Sequence, residues 1–202
     1  MRERCAALPA PAALPPPRVD SIAAAVLLPL IAGHDSSGDD ASGEDARLVL
    51  TKRPETMPSH QGQIAFPGGK IDPVVDSSPR DAALREAEEE IALPRDAVDV
   101  IAELPSVGTA VGEFVMTPFV GIVEPRPMLV AHPYEVDRVF DVALSELLIP
   151  EVYRSEVWHF WGEARLMHFF DLEGETVWGA TARILADFLA VLTNTEPPEP
   201  AW

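Results

Sequence analysis

Six consecutive residues, Arg85-Glu86-Ala87-Glu88-Glu89-Glu90, constrain this chain more than any other feature. They sit in residues 79–93, PRDAALREAEEEIAL, a run of strong helix formers. Pro79 stands where a proline in the first helical turn is tolerated, Ser78 fits the N-cap, and Asp81 suits the positive end of the helix dipole. Pro94 marks the stop. At about 100° per residue, Glu86, Glu89 and Glu90 share one sector at i, i+3 and i+4, while Leu84, Ala87 and Ile91 form another side that can pack on a sheet. Arg85 lies one turn before Glu89 and can hold that carboxylate in place. Three carboxylates on one face repel one another and weaken the helix unless something positive is bound there. Two readings follow: a solvated acidic face, common on Glu-rich helices, or a site for a hard divalent cation. Mg²⁺ and Mn²⁺ prefer oxygen ligands and are often shared with substrate phosphates.

The preceding segment shifts the balance toward the cation. In residues 61–70, QGQIAFPGGK, the Phe66-Pro67-Gly68-Gly69 bend is poor in Cβ atoms and lets backbone approach a ligand or metal closely. A bend of this kind, feeding a loop and then a carboxylate helix, is an assembly for phosphate plus metal. The Gly69-Lys70 pair does not make a P-loop, because Ile64 stands where the first glycine belongs and Ile71 replaces the Ser or Thr that meets Mg²⁺.

Length and charge remove other classes. The 202 residues suit one domain with a real core, and 47% hydrophobic content fits a soluble folded protein. A formal charge of −18 argues against nucleic-acid binding and against docking on anionic membranes. The single cysteine, Cys5, allows no internal disulfide framework or cysteine-rich zinc site, and points to a reducing, cytoplasmic location. The longest apolar run, residues 22–33, is too short to span a bilayer and contains Pro29. Residues 1–18 read as a disordered Pro/Ala-rich arm rather than a targeting signal, 19–194 as the folded domain, and 195–202 as a flexible acidic tail.

Along the domain, residues 21–33 and 46–52 read as two strands of a hairpin joined by the polar loop 34–45, which lacks the calcium-loop pattern. Strand-like runs cover 98–104, 114–123, 152–161 and 166–177; residues 141–148 read as a short helix and 180–192 as a terminal apolar helix. His159 and His168 read as packed core or edge residues, and Trp158, Trp161 and Trp178 as core or dimer surface. Strands mixed with a central and a terminal helix suggest a mixed sheet covered on both faces.

Gly68-Gly69 followed by Arg85-Glu86-Ala87-Glu88-Glu89-Glu90-Ile91-Ala92-Leu93 resembles the Nudix box, G-x5-E-x7-R-E-U-x-E-E-x-G-U, where U is aliphatic. The loop before the arginine is longer by two residues, Asp76 best replaces the first glutamate, and Ala92 stands at the late glycine as a helix-compatible change. Upstream, Leu50-Thr51-Lys52-Arg53, then Ser59-His60-Gln61-Gly62-Gln63 and Phe66-Pro67-Gly68-Gly69, resemble the coenzyme A pyrophosphatase branch signature LLTxR(S/A)x3Rx3Gx3FPGG, with Pro54 and Pro58 as departures. These motifs cover about a quarter of the chain.

The resemblance implies an α+β fold: a Nudix-type α/β/α sandwich with a central mixed β-sheet and the Nudix-box helix in a loop-helix-loop. It also implies a homodimer. It assigns Glu86 and Glu90 as principal Mg²⁺ or Mn²⁺ ligands, Glu89 as a further ligand or base, the Gly69 carbonyl as an extra ligand, and Arg85 as the orienting residue. Glu135 is the alternative base, and Lys52, Arg53, Gln63, Phe66, Gly68 and Lys70 are the expected substrate contacts. The implied reaction is attack of water on coenzyme A or acyl-CoA, releasing 3′,5′-ADP and 4′-phosphopantetheine or its acyl form, favoured at alkaline pH. Two alternatives stay open: hydrolysis of another nucleoside diphosphate derivative such as ADP-ribose or a dinucleotide, and a non-catalytic nucleotide-binding sensor.

Overall fold

The computed structural model describes residues 21–31, 45–109, 114–160 and 162–195. The expected arm, Cys5, Trp161, residues 34–44 of the hairpin loop and residues 196–202 of the tail lie outside the described residues.

The architecture is organised around β1 (Ile22–Ile31), an apolar strand that is buried almost throughout. Alternate side chains go to opposite layers: Ala25, Leu27 and Ile31 to one core, Val26, Leu28 and Leu30 to the other. A strand covered on both faces reads as a continuous apolar run, and that is how this one is written. One edge pairs in parallel along its full length with β7 (Phe114–Val123). The other edge is shared. β2 (Arg47–Lys52) takes its far end at Leu30↔Leu48, and β4 (Gly68–Lys70) takes its near end at Val26↔Gly68 and Ala24↔Lys70. Between them the Leu27 N–H donates to the Pro67 carbonyl at 2.9 Å. The sheet is thus forked at the Phe66–Gly69 bend. β3 (Ile64–Ala65) and β8 (Arg138–Ala143) extend β2, while β5 (Val98–Glu103) and β6 (Val107–Gly108) extend β7.

On one face lies α1 (Pro79–Ile91), which brings Ala82, Ala83, Ala87 and Ile91 against β1. The other face carries α3 (Gly179–Thr193) together with a separate antiparallel sheet of β9 (Tyr153–Phe160), β10 (Glu163–Leu172) and β11 (Glu175–Trp178). This is the implied α/β/α sandwich with a mixed sheet. No helix among the described residues is long and apolar enough to cross a membrane.

Several local readings need correction. Residues 141–148 are not one helix: β8 runs to Ala143 and only the single turn α2 (Leu144–Leu147) follows. Asp141 faces Val49 of β2 and is held by Arg47 and Arg126, so cross-strand pairing overrides helix propensity there. The 166–177 run is two strands broken at Gly174, which has a φ of +76°. Ala92 is not a helical residue. It is the left-handed C-cap, with φ 54°, whose N–H returns to the Ala87 and Glu88 carbonyls. His168 is buried and accepts or donates through Nδ1 to the Tyr153 hydroxyl at 2.9 Å, whereas His159 is exposed. Trp158 and Trp178 are both partly exposed.

An L-residue in the left-handed region is strained by about 1–2 kcal/mol, a cost glycine escapes. Ala92→Gly should therefore raise stability by about 1 kcal/mol, read as an upward shift of the denaturant midpoint at unchanged slope.

Candidate active site

Small side chains on one side of α1 let the helix sit close on β1, and this turns Glu86 and Glu90 toward the fork in the sheet. The two glycines of the bend are there for different reasons. A side chain at Gly68, whose φ is +154°, would run into the Ala25 carbonyl of β1. A side chain at Gly69 would lie 2.5 to 2.7 Å from the Glu86 carboxylate. The bend is therefore a cradle for that carboxylate.

Arg85 organises the face. Its Nε and Nη2 donate to both oxygens of Asp76 at 2.8 and 3.0 Å, and Nη2 also reaches the Lys70 carbonyl at 3.2 Å. Nη1 lies 2.9 Å from both Glu86 Oε1 and Glu89 Oε2. The Asp76 side chain is only 1% exposed and also accepts from the Asp72 N–H at 2.8 Å. The guanidinium holds the Asp76 carboxyl below the usual carboxylate range despite burial.

Glu90 has the opposite environment. It is 5% exposed and accepts from the Gly68 N–H at 3.1 Å through Oε2. Burial, reinforced by the charges of Glu86 and Glu135, pushes it up to about 8, against the pull of Gly68 and Arg53. Burial also raises Glu86, against Arg85. Glu135 comes from the segment before β8. That segment is strapped to the end of α1 by His132 N–H to the Glu90 carbonyl (2.8 Å) and Val130 N–H to the Ile91 carbonyl (3.0 Å). His132 Nδ1 lies 3.9 Å from Glu135 Oε1. Arg53 follows β2 directly, and its buried Nε has no hydrogen-bond partner among the described residues.

Arg85, Glu86, Glu90, Gly68, Gly69, Arg53 and Glu135 thus come to one region. The remaining expected site residues have partners of their own. The Lys52 ammonium pairs with Glu175 of β11 at 2.9 Å, and the Phe66 ring is buried in the core facing α3. Gln63 bonds His60 at 2.9 Å, and the exposed Lys70 extends its ammonium over the Phe114 ring. Glu89 is turned to Arg85. No three His, Cys, Asp or Glu side chains among the described residues gather into a ready-made metal cluster. The donors nevertheless fit a hard cation. Glu86 and Glu90 offer carboxylate oxygens whose burial and mutual repulsion a bound positive charge would relieve. The backbone strap from His132 to Glu90 is the contact sequence reasoning missed, since a long-range backbone contact leaves no local signal.

The two buried carboxylates make opposite pH predictions. Glu90 is raised from 4.5 to about 8 in the folded state, so its stabilising contribution is full below 4.5 and is lost as pH rises toward 8. Glu90→Gln should unfold at a higher temperature than the wild type above pH 8 with chelator present, the two converging on acidification. Asp76 is lowered, so its contribution is present above the usual 3.8 and lost as pH falls through its folded value. Asp76→Asn should flatten that acid limb in thermal scans and cost about 10–100-fold in metal affinity.

A model of the NUDIX domain matches residues 40–161. A protein of Photorhabdus laumondii subsp. laumondii described as an uncharacterized Nudix hydrolase, NudL, is 38% identical over 162 residues, spanning 80% of each chain. A protein of Enterobacter sp. (strain 638) with the same description is 39% identical over 184 residues, 86% of this chain and 84% of its own. Among solved structures, a MutT/nudix family protein from Enterococcus faecalis has the same fold at a TM-score of 0.57 and 16% identity, over 90% of this chain and 66% of that one. Family hydrolases typically require a divalent metal. With the domain match, the curated relatives and the fold in agreement, the chain belongs to the Nudix hydrolase family.

Proposed function

We propose that this chain hydrolyses the P–O–P linkage of a nucleoside diphosphate derivative with Mg²⁺ or Mn²⁺, and that coenzyme A or an acyl-CoA is its substrate within that class. The observation that carries the class is the pairing of Glu86 and Glu90 against the Gly68-Gly69 bend, with the charge of Arg53 acting on Glu90. The LTKR and FPGG segments support coenzyme A, whereas the carboxylate site serves ADP-ribose or a dinucleotide equally well.

In this reading Glu86 and Glu90 hold the cation, with Glu89 and the Gly69 carbonyl as further ligands. A bound divalent cation neutralises phosphate oxygens and makes a bound water easier to deprotonate. Arg85 fixes the Glu86 carboxylate through a guanidinium that Asp76 has already locked in plane. Arg53 donates to a phosphate oxygen through its guanidinium. Glu135 accepts the proton of the attacking water, with Glu89 as the other candidate base. The water oxygen bonds to phosphorus, the bridging P–O bond breaks, and the departing phosphate keeps the bridging oxygen.

The test is turnover of coenzyme A, ADP-ribose and a diadenosine polyphosphate with each metal, resolved by product chromatography. Release of 3′,5′-ADP and 4′-phosphopantetheine, lowered at least about 100-fold in folded Glu86→Gln, is the expected result. Hydrolysis of the other two substrates alone would keep the class and remove coenzyme A. No hydrolysis of any of them would favour the binding-only alternative.

A further inference from the structure

Strand β9 is exposed at every position from Tyr153 to His159, and among the described residues it pairs on one side only, with β10. The register fixes which way its backbone points. The Asp171 N–H donates to the Val152 carbonyl at 2.8 Å. Hydrogen-bonded pairs recur at every second residue of an antiparallel ladder, so Arg154, Glu156 and Trp158 bond to β10. The N–H and C=O groups of Tyr153, Ser155 and Val157 therefore face the open edge.

This edge lacks the usual protection against pairing. Residues 153–160, YRSEVWHF, hold no Pro and no Lys, and the β9–β10 register runs without a bulge. Two opposite charges, Arg154 and Glu156, stand on one face of the strand, and Tyr153 and Val157, 36% and 60% exposed, on the other. Arg154 bonds Asp171 at 2.7 Å as well as Glu156, and Glu156 accepts the Trp158 indole N–H at 2.7 Å, so the charged row is already ordered.

Charge and register together select what can pair there. Outward backbone groups meet only outward groups, which limits where the twofold axis of a self-pairing can fall. An axis on Arg154 or on Glu156 sets like charges directly opposite, which is destabilising. An axis on Val157 sets the Glu156 carboxylate opposite the partner's Trp158. An axis on Ser155 sets Arg154 opposite the partner's Glu156 and Tyr153 opposite the partner's Val157, each twice. Opposite charges and aromatic–β-branched couples are the favourable cross-strand pairs. The Arg–Glu couple also falls at a non-hydrogen-bonded position, where Cα atoms are about 4.5 Å apart and side chains are closest. A foreign strand would have to offer acid and base in this spacing; β9 offers them by its own reversal.

We propose that the open edge of β9 is an interface between two copies of this chain, the strands pairing antiparallel about a twofold axis at Ser155 and joining the two smaller sheets into one. Its three hydrogen-bonded positions supply about six backbone hydrogen bonds. An interface of one strand pair is small, in the weak class below about 1,200 Å², so the dimer forms with rising concentration. The pairing does not depend on the diphosphate chemistry.

The test is sedimentation velocity of the full chain over about a hundredfold range of concentration, with folding checked by circular dichroism. Wild type should pass from monomer to dimer. Ser155→Pro removes an N–H that faces the open edge, where proline is tolerated, and should weaken the dimer at least about tenfold. Glu156→Arg and Arg154→Glu each set like charges opposite and should each weaken it similarly, yet the two mixed together should dimerise, since every Arg then meets a Glu. Amide exchange of the wild type keeps the test valid should a variant fail to fold: with concentration it should slow at Tyr153, Ser155 and Val157. Wild type that stays monomeric overturns the proposal and leaves the edge to a strand of another protein. A dimer that ignores all three variants, or slowed exchange confined to other residues, overturns it by placing the interface elsewhere. A mixture of the two folded charge variants that stays monomeric overturns the twofold pairing at Ser155.

Discussion

The two-armed grip of Arg85 on Asp76 ties together parts of the chain that would otherwise have no fixed relation. Asp76 belongs to the loop that leaves the glycine bend, and Arg85 to the middle of α1. A buried carboxylate is expensive unless paired and hydrogen-bonded, and this one accepts from two guanidinium nitrogens and the Asp72 N–H. The same guanidinium reaches the Lys70 carbonyl at the end of β4. Bend, loop and helix are therefore held at one point. Only with that point fixed are the remaining donors of Arg85 directed at Glu86 and Glu89, so the orientation of the acidic face follows from a contact outside it.

The forked sheet explains why the acidic face is tolerated at all. Since β2 and β4 divide one edge of β1, the bend leaves the sheet with its Gly68 N–H pointing away from the strand ladder. Glu90 takes that N–H, and in doing so is carried into an environment that favours its neutral form. Glu86 is in a similar position, shared between the Gly69 cradle and Arg85. The fold gives up stability here to keep two carboxylates close and poorly solvated, a sacrifice that makes sense where a positive ligand is to be bound.

What was legible in the sequence was what depends on local chemistry. The α1 helix, its Ser78 cap and the close-approach bend all follow from residue types at short spacing, and the strand β1 followed from an apolar run rich in Val, Ile and Leu, though not its burial on both faces. The features not legible there share a different cause. Residues 141–143 carry helix-compatible residues, but their backbone is claimed by β2, nearly a hundred positions earlier. Lys52 looks available beside Arg53 until Glu175 of the second sheet is placed against it. Phe66 lies in the motif but faces the core. Ala92 fits a helix by propensity and sits where the chain must turn left-handed. In each case the deciding partner is remote or the deciding angle is invisible to composition.

A chain with a formal charge of −18 is an awkward host for a polyphosphate. Its cations do little to relieve this, because most are matched locally. Lys52 and Arg138 share Glu175, Arg47 and Arg126 share Asp141, Arg95 bridges Asp81 and Glu88, and Arg154 sits between Glu156 and Asp171. These pairs secure strands and helix ends and leave no broad basic field for steering an anion from a distance. Arg53 differs, because its buried Nε is without a partner among the described residues and its charge bears on Glu90. In the proposed reading, neutralisation of a bound diphosphate would be local, divided between Arg53 and a cation at Glu86 and Glu90. Such a cation would have two functions, to bridge protein and phosphate and to remove the repulsion that burial imposes on the carboxylates. Affinity for substrate and stability of the site are then coupled through one ion, so each should strengthen the other.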